Sequence, residues 1–251
     1  MLDLRNFHVR YAAQSEEAVR GLSFSVRPGS FSGLVGESGS GKSTLIMAAL
    51  GLLPQGAHAS GEILFEGRNL LSLPEEELRR LRWKRIALVP QGAQNSFTPV
   101  KTIGAHVEEV LKVHCGVRGR EAEAKTAELL GETGLDRSIA RRYPHELSGG
   151  QKQRAAIALA LACSPSLLLA DEPTTALDVV TQAGLLQLLV RLQREKGLTI
   201  LFVTHDLPMA ASVCGELFVM KDGLLAEQGD PQTLLTHPRH PHTQALVRAI
   251  L

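Results

Sequence analysis

The chain has 251 residues, 44% of them hydrophobic, and 27 basic against 26 acidic residues leave a formal net charge of +1. Such a length and apolar share supply a sizeable core, while the near-neutral balance argues against a nucleic-acid surface, which carries a marked basic excess. No stretch approaches the roughly 20 apolar residues of a membrane span, and Met1-Leu2-Asp3-Leu4-Arg5 lacks the charged-then-apolar layout of a secretory leader, so a cytoplasmic protein is expected. Cys115, Cys163 and Cys214 are widely scattered, which predicts reduced, mostly buried thiols rather than a disulfide frame or a zinc site.

In chain order, alternation at Asp3-Leu4-Arg5, the run Leu22-Ser23-Phe24-Ser25-Val26 and then Ile63-Leu64-Phe65 predict antiparallel hairpins. Residues 31–35 read as a buried strand and 45–50 have helical composition. Between them stands Gly36-Glu37-Ser38-Gly39-Ser40-Gly41-Lys42-Ser43-Thr44, a complete phosphate-binding loop at a strand-to-helix junction. Its glycines let the backbone turn N–H groups inward around a phosphate, and the following helix adds its N-terminal dipole. Lys42 would reach the β- and γ-phosphates and the Ser43 hydroxyl would hold magnesium. A flexible Gly/Ser linker would have no need of Lys-Ser after its last glycine.

The basic residues Arg79, Arg80, Arg82, Lys84 and Arg85 follow Glu75, Glu76 and Glu77 at i,i+4 spacing, which predicts a solvated helix face laced by charge pairs. Further apolar runs at 86–90, 167–170, 199–204 and 217–220, several followed by helical patterns, give the rhythm of a parallel α/β sheet. Between Gln91 and Leu147 the strand signal vanishes and the pattern turns helical, as over 121–130; this predicts a helical insertion at 92–147. Ligands of such sheets bind beyond the carboxyl ends of the strands, and the phosphate loop, Asp171-Glu172 and His205 each follow a strand, so they are expected at one edge. Asp171 would order a magnesium shell, Glu172 would polarise an attacking water, and His205 would contact the γ-phosphate.

Leu147-Ser148-Gly149-Gly150-Gln151, just before a helix expected near Lys152, is a second glycine-rich helix start and so a second anion site. It is redundant for one chain with one nucleotide, and useful if it serves another subunit's nucleotide. With these residues in this order, the whole chain resembles the ATP-binding subunits of ABC transporters. The resemblance implies an α/β P-loop NTPase core of ABC type, with an N-terminal antiparallel β subdomain and an inserted helical subdomain, forming a single ATPase domain over 1–251. It also assigns Tyr11 to adenine stacking, Gly36, Ser38, Gly39, Ser40, Gly41, Lys42, Ser43 and Thr44 to Walker A, and Gln91 to the Q-loop and, with Ser43 and Asp171, the Mg2+ shell. Ser148, Gly149, Gly150 and Gln151 become the signature, Asp171 and catalytic Glu172 the Walker B end, Asp178 the D-loop residue, and His205 the switch histidine.

By the same resemblance, two such domains, identical or not, sandwich ATP head to tail beneath two membrane permease subunits on the cytoplasmic face of the membrane, indirectly serving a substrate-binding protein. Gly51-Leu52-Leu53-Pro54 and the tail beginning His237-Pro238-Arg239-His240-Pro241-His242 are similar to the peptide/nickel importer subfamily. The prolines make that tail, over 229–251, read as a turn into a terminal helix rather than a metal site. Two features depart from the subfamily: Gly92-Ala93-Gln94-Asn95-Ser96-Phe97-Thr98-Pro99 replaces the usual acidic-Pro sequence after Gln91, and a cysteine-bearing extension after Leu251 is lacking, which leans toward nickel-type or short dipeptide-type systems. The alternatives are a soluble ABC ATPase of translation or DNA repair, which usually carries a long coiled-coil insertion or two fused halves, and a regulatory subunit that no longer hydrolyses ATP.

Overall fold

Apolar residues at alternating positions bury one face of β1 (Leu2–Arg10), where Leu2, Leu4, Phe7 and Val9 are all at most 2% exposed. The computed structural model to which this strand belongs describes residues 1–12 and 15–249. They form two compact units, Met1–Arg79 with Thr199–Leu251, and Arg80–Leu198.

In the first unit β1 pairs antiparallel with β2 (Glu17–Val26). After β2 come β3 (Phe31–Gly36), every residue of which is buried, and α1 (Lys42–Ala49). Then β4 (His58–Phe65) pairs antiparallel with β1 and β5 (Arg68–Asn69), giving a four-stranded sheet of order β2-β1-β4-β5. The alternation of β1 breaks at Asn6, whose φ is 45°, and the β1–β4 register slips between Arg5 and His8. Facing this bulge is Gly61 at φ +81°, where a Cβ would lie 2.1 Å from the Asn6 carbonyl oxygen. The next helix, α2 (Glu75–Leu81), stops too early for the charged face that the spacing predicts. Arg82, Lys84 and Arg85 lie beyond it, and Glu77 pairs with Arg68 at the end of β5.

The second unit begins around β6 (Ile86–Val89). It continues with α3 (Ile103–Val110), capped by the Thr102 hydroxyl and prolonged by a π-turn to Cys115, and with α4 (Arg120–Glu132). Among the described residues the segment 92–147 holds helices and turns but no strand. Next come α5 (Gly149–Ala160), β7 (Leu167–Asp171), parallel to β6, and α6 (Val179–Lys196). Val107 and Leu111 pack with Ala122 and Ala162 into a core joining α3 and its π-turn to α4 and to the end of α5. The helix α5 starts three residues earlier than Lys152, because Ser148 caps it and its two glycines are already helical. The scatter of the cysteines misleads: Cys115 is exposed, Cys163 is half-buried, and their sulfurs lie 3.0 Å apart. Cys214 alone of the three is buried.

The chain returns to the first unit with β8 (Thr199–Thr204), α7 (Leu207–Val213) and β9 (Glu216–Lys221). β3 lies between β8 and β9 and runs parallel to both, as its apolar run predicts for a strand buried on two faces. Phe31 and Phe202 meet edge to face at 6.0 Å, and Phe24 of β2 stacks on Phe218 of β9 at 4.3 Å. β10 (Leu224–Gly229) adds antiparallel to β9 as a strand the apolar runs did not reveal. In the tail, α8 (Pro231–Thr236) and α9 (Pro241–Arg248) each open on a proline behind a side-chain cap, Asp230 and His240, so the prolines start helices as expected.

Gly61→Ala should lower stability by about 1–3 kcal/mol, because it imposes a strained φ and a clash with Asn6. Urea unfolding followed by circular dichroism reads this, and an unchanged midpoint would show that the bulge relaxes without cost.

Candidate active site

The buried strand β3 delivers Gly36 to the surface, where the loop 37–41 turns into α1. Gly41, the residue before the helix, has φ 101°, and a Cβ there would lie 2.5 Å from the Ala18 carbonyl oxygen. Glu37, Ser38 and Gly39 are exposed, whereas Ser40 and Lys42 are buried at 4% and 6% exposure. A buried ammonium needs fixed acceptors. Lys42 Nζ donates to the carbonyls of Gly36 at 2.7 Å and Glu37 at 2.8 Å and to Ser40 Oγ at 3.2 Å. On the far side, the Gly223 N–H donates to the Ser40 carbonyl at 3.1 Å and steadies the loop. The loop is thus a curved run of backbone around a captive cation, a donor set suited to phosphate oxygens.

Two further residues of the first unit are positioned toward this loop. The Tyr11 hydroxyl is hydrogen-bonded to Thr44 Oγ1 at 2.9 Å, which ties Tyr11 to the first turn of α1. His205 follows β8, and because Val35 is in register with Thr204, Gly36 and His205 leave the sheet side by side at its carboxyl edge. His205 is exposed there. A contact unforeseen in the sequence comes from the tail: the side chain of His242, only 3% exposed, lies 4.0 Å from the Glu37 carboxylate through Nδ1. Burial pushes the His242 imidazole below its ordinary range, and the Glu37 charge partly opposes that.

In the second unit, Val89 is in register with Ala170, so Gln91 and Glu172 emerge from β6 and β7 at the same level. Gln91 Nε2 donates to Glu172 Oε2 at 3.1 Å, and Thr175 Oγ1 donates to the same oxygen at 3.1 Å. Asp171 just before it is 7% exposed, and Glu172 adopts φ 44°, a left-handed turn that directs its carboxylate away from the strand. The sequence marks Gln91 and Glu172 but not Thr175; a hydroxyl three residues beyond the candidate carboxylate is the available signal.

The signature residues start α5 with a reciprocal cap. Ser148 Oγ accepts from the Gln151 N–H at 3.2 Å, and Gln151 Oε1 accepts from the Ser148 N–H at 3.0 Å. Ser148 and Gly149 are exposed. Gly150 packs so closely on α6 that a Cβ would meet Thr181 Cγ2 at 2.7 Å. Thr181 also donates to Asp178, from its N–H at 3.0 Å and its hydroxyl at 2.6 Å, and these bonds hold the Asp178 carboxyl below the usual carboxylate range. Thr181, which the sequence did not flag, therefore touches both Gly150 and Asp178.

The structure thus gathers Tyr11, residues 36–44 and His205 in the first unit, and Gln91, Ser148–Gln151, Asp171, Glu172 and Asp178 in the second. A phosphate loop on a buried strand, together with carboxylates and a capped glycine-rich helix start, defines an ATP-hydrolysing P-loop cassette. The ABC transporter family pattern matches residues 19–175, and the chain belongs to that family. It is 42% identical over its whole length, and over 76% of the relative's, to the probable peptide ABC transporter ATP-binding protein y4tR of Sinorhizobium fredii. It is 41% identical over its whole length, and over 79% of the relative's, to the oligopeptide transport ATP-binding protein OppD of Haemophilus influenzae. Among solved structures, the dimeric post-hydrolysis state of the ATP-binding cassette MJ0796 bound to ADP and Pi superposes with a TM-score of 0.80 at 33% identity, covering 92% of this chain and 99% of that one.

Lys42→Ala should weaken ATP binding at least about tenfold, the scale of one lost charge-assisted hydrogen bond. Titration with a fluorescent ATP analogue measures it, and an unchanged affinity would remove Lys42 from the nucleotide site.

Proposed function

We propose that this ATP-hydrolysing chain drives the import of peptides, acting at the cytoplasmic face of a membrane through permease subunits. The observation that carries the reading is full-length similarity, above 40%, to two ATP-binding proteins named for peptide and oligopeptide transport. No helix among the described residues is long and apolar enough to cross a membrane, which suits a peripheral engine.

The roles we assign follow the family. The loop 36–44 binds the triphosphate, Lys42 exchanging its loop carbonyls for phosphate oxygens, and Tyr11 stacks on adenine. By the family's pattern Ser43, Gln91 and Asp171 would supply oxygens to Mg2+, a set that suits a hard cation; the ion would neutralise phosphate charge. Gln91 fits this role well, because its amide nitrogen is engaged by Glu172 while its oxygen can serve a metal. Glu172, held by Gln91 and Thr175, accepts a proton from the attacking water, and His205 steadies the γ-phosphate end. Ser148 to Gln151 and Asp178 act on the nucleotide of a second ATPase subunit, alike or different; the dimeric state of the similar cassette supports this pairing.

The permease contact would fall on the loop after Gln91. Thr98 and Val100 are exposed there, Val100 to 79%, yet the loop is held. The Thr98 N–H donates to His106 Nε2 at 2.9 Å, His106 Nδ1 lies 2.8 Å from the Thr102 carbonyl, and Phe97 packs edge to face on the His106 ring. An apolar residue on a stiff loop is ready to meet a partner without an ordering cost.

Glu172→Gln should keep ATP affinity within about twofold while turnover falls by at least about a hundredfold, the scale of a lost general base. Phosphate release alongside ATP titration tests it, and normal turnover would reassign the base. With the native cysteines replaced, a cysteine at Thr98 should crosslink to a cytoplasmic segment of a membrane subunit in detergent-solubilised membranes. Crosslinks to ribosomal protein or nucleic acid instead would favour the soluble alternative.

A further inference from the structure

Cys115 and Cys163 are 48 residues apart in sequence, yet the Cys115 thiol donates to the Cys163 sulfur at 3.0 Å. Each stands at the end of a helical element. Cys115 closes the π-turn after α3 and is followed by Gly116 in a left-handed cap, while Cys163 lies past the end of α5 and just before Ser164, itself at φ 51°. Cys115 is exposed and Cys163 half-buried. Neither takes part in the nucleotide chemistry assigned above.

We propose that Cys115 and Cys163 are a redox modification site, closing reversibly into an intramolecular disulfide that ties the end of α3 to the end of α5. The geometry divides the work. Exposed Cys115 is the sulfur a solution oxidant reaches first, and Cys163 beside it is the resolving thiol. Burial and the neighbouring Cys115 push the Cys163 thiol up to about 12, with Lys84 opposing, so Cys163 stays a thiol until a partner sulfur is activated. Cys214 is buried and its thiol is raised by burial alone, which makes it an inert internal control.

With a peroxide as oxidant the step balances. The Cys115 thiolate attacks one peroxide oxygen, the S–O bond forms, the O–O bond breaks, and hydroxide leaves and takes up the proton that the thiol gave up, as water. The Cys163 sulfur then attacks the sulfenic sulfur of Cys115 and loses its proton, and the S–O bond breaks to release a second water. Two thiols have lost two electrons and two protons, and the peroxide has gained them. A thiol reductant reverses the bond by exchange. In a reducing compartment such a bond is transient and reports the oxidant level. It encloses α4 and the signature Ser148 in a covalent loop, so oxidation stiffens the segment that carries both.

The full-length chain, purified reduced and freed of reductant, is treated with hydrogen peroxide. Intact mass should fall by two hydrogens, digestion should yield one crosslinked peptide joining positions 115 and 163, and Cys214 should still react with iodoacetamide after unfolding. Dithiothreitol should restore the original mass. The thermal midpoint should rise on oxidation in the native sequence but not in Cys115→Ser or Cys163→Ser. The proposal is overturned if peroxide leaves sulfinic acid on Cys115 without a crosslink, if the link runs to Cys214 or to a second chain, or if either serine variant still forms an intramolecular disulfide.

Discussion

Almost no water reaches the ammonium of Lys42, so its charge must be met by oxygens whose positions do not wander. The loop meets that demand with two carbonyls and a hydroxyl from residues 36–40, and the rest of the first unit fixes those atoms. β3 is buried along its whole length and pinned on both edges by parallel neighbours, which leaves Gly36 little freedom. Gly41 reaches the start of α1 through a backbone angle that a side chain would resist, with Ala18 pressing from β2. In the phosphate-binding role proposed for it, a lysine so prepared would give up one set of oxygens for another rather than be stripped of water. That lowers the reorganisation the site must undergo.

The second unit follows a different rule, in which threonine hydroxyls and one amide hold the carboxylates. Thr175 and the Gln91 amide fix one oxygen of Glu172, and Thr181 fixes Asp178 while packing on Gly150. The start of α5 and the Asp178 cap of α6 therefore share one side chain. A shift of α6 by a fraction of an ångström would be felt at Gly150, because a close contact there has no slack.

Much of this was legible in the sequence, for a physical reason. The phosphate loop, the signature and the carboxylate pair are short-range patterns whose chemistry depends on neighbours within a few residues, and apolar runs such as 199–204 mark buried strands by composition alone. What escaped depends on tertiary proximity or weak local signal. The edge strand β10 buries none of its residues fully, and its short apolar start Leu224-Leu225-Ala226 gives way at once to Glu227 and Gln228, so little announces it. The charges around α2 looked like a helix face only while the helix was assumed to continue past Leu81. Thr175 and Thr181 are common residues whose partners decide their role. Cys115 and Cys163 looked scattered because sequence distance says nothing about two loop ends that fold together.

The Gln91 amide uses its nitrogen to hold Glu172, and this makes a seemingly mild exchange severe. A glutamate at 91 has the same length and shape, yet it would set a second carboxylate against Glu172 where a donor now stands. Two like charges at that separation oppose each other's ionisation, so the pair would hold a proton more tightly than either acid alone. In the role proposed for it, Glu172 would then have to compete with its own neighbour for that proton. Nitrogen rather than oxygen at one atom of residue 91 thus sets a donor, and not a second negative charge, against Glu172.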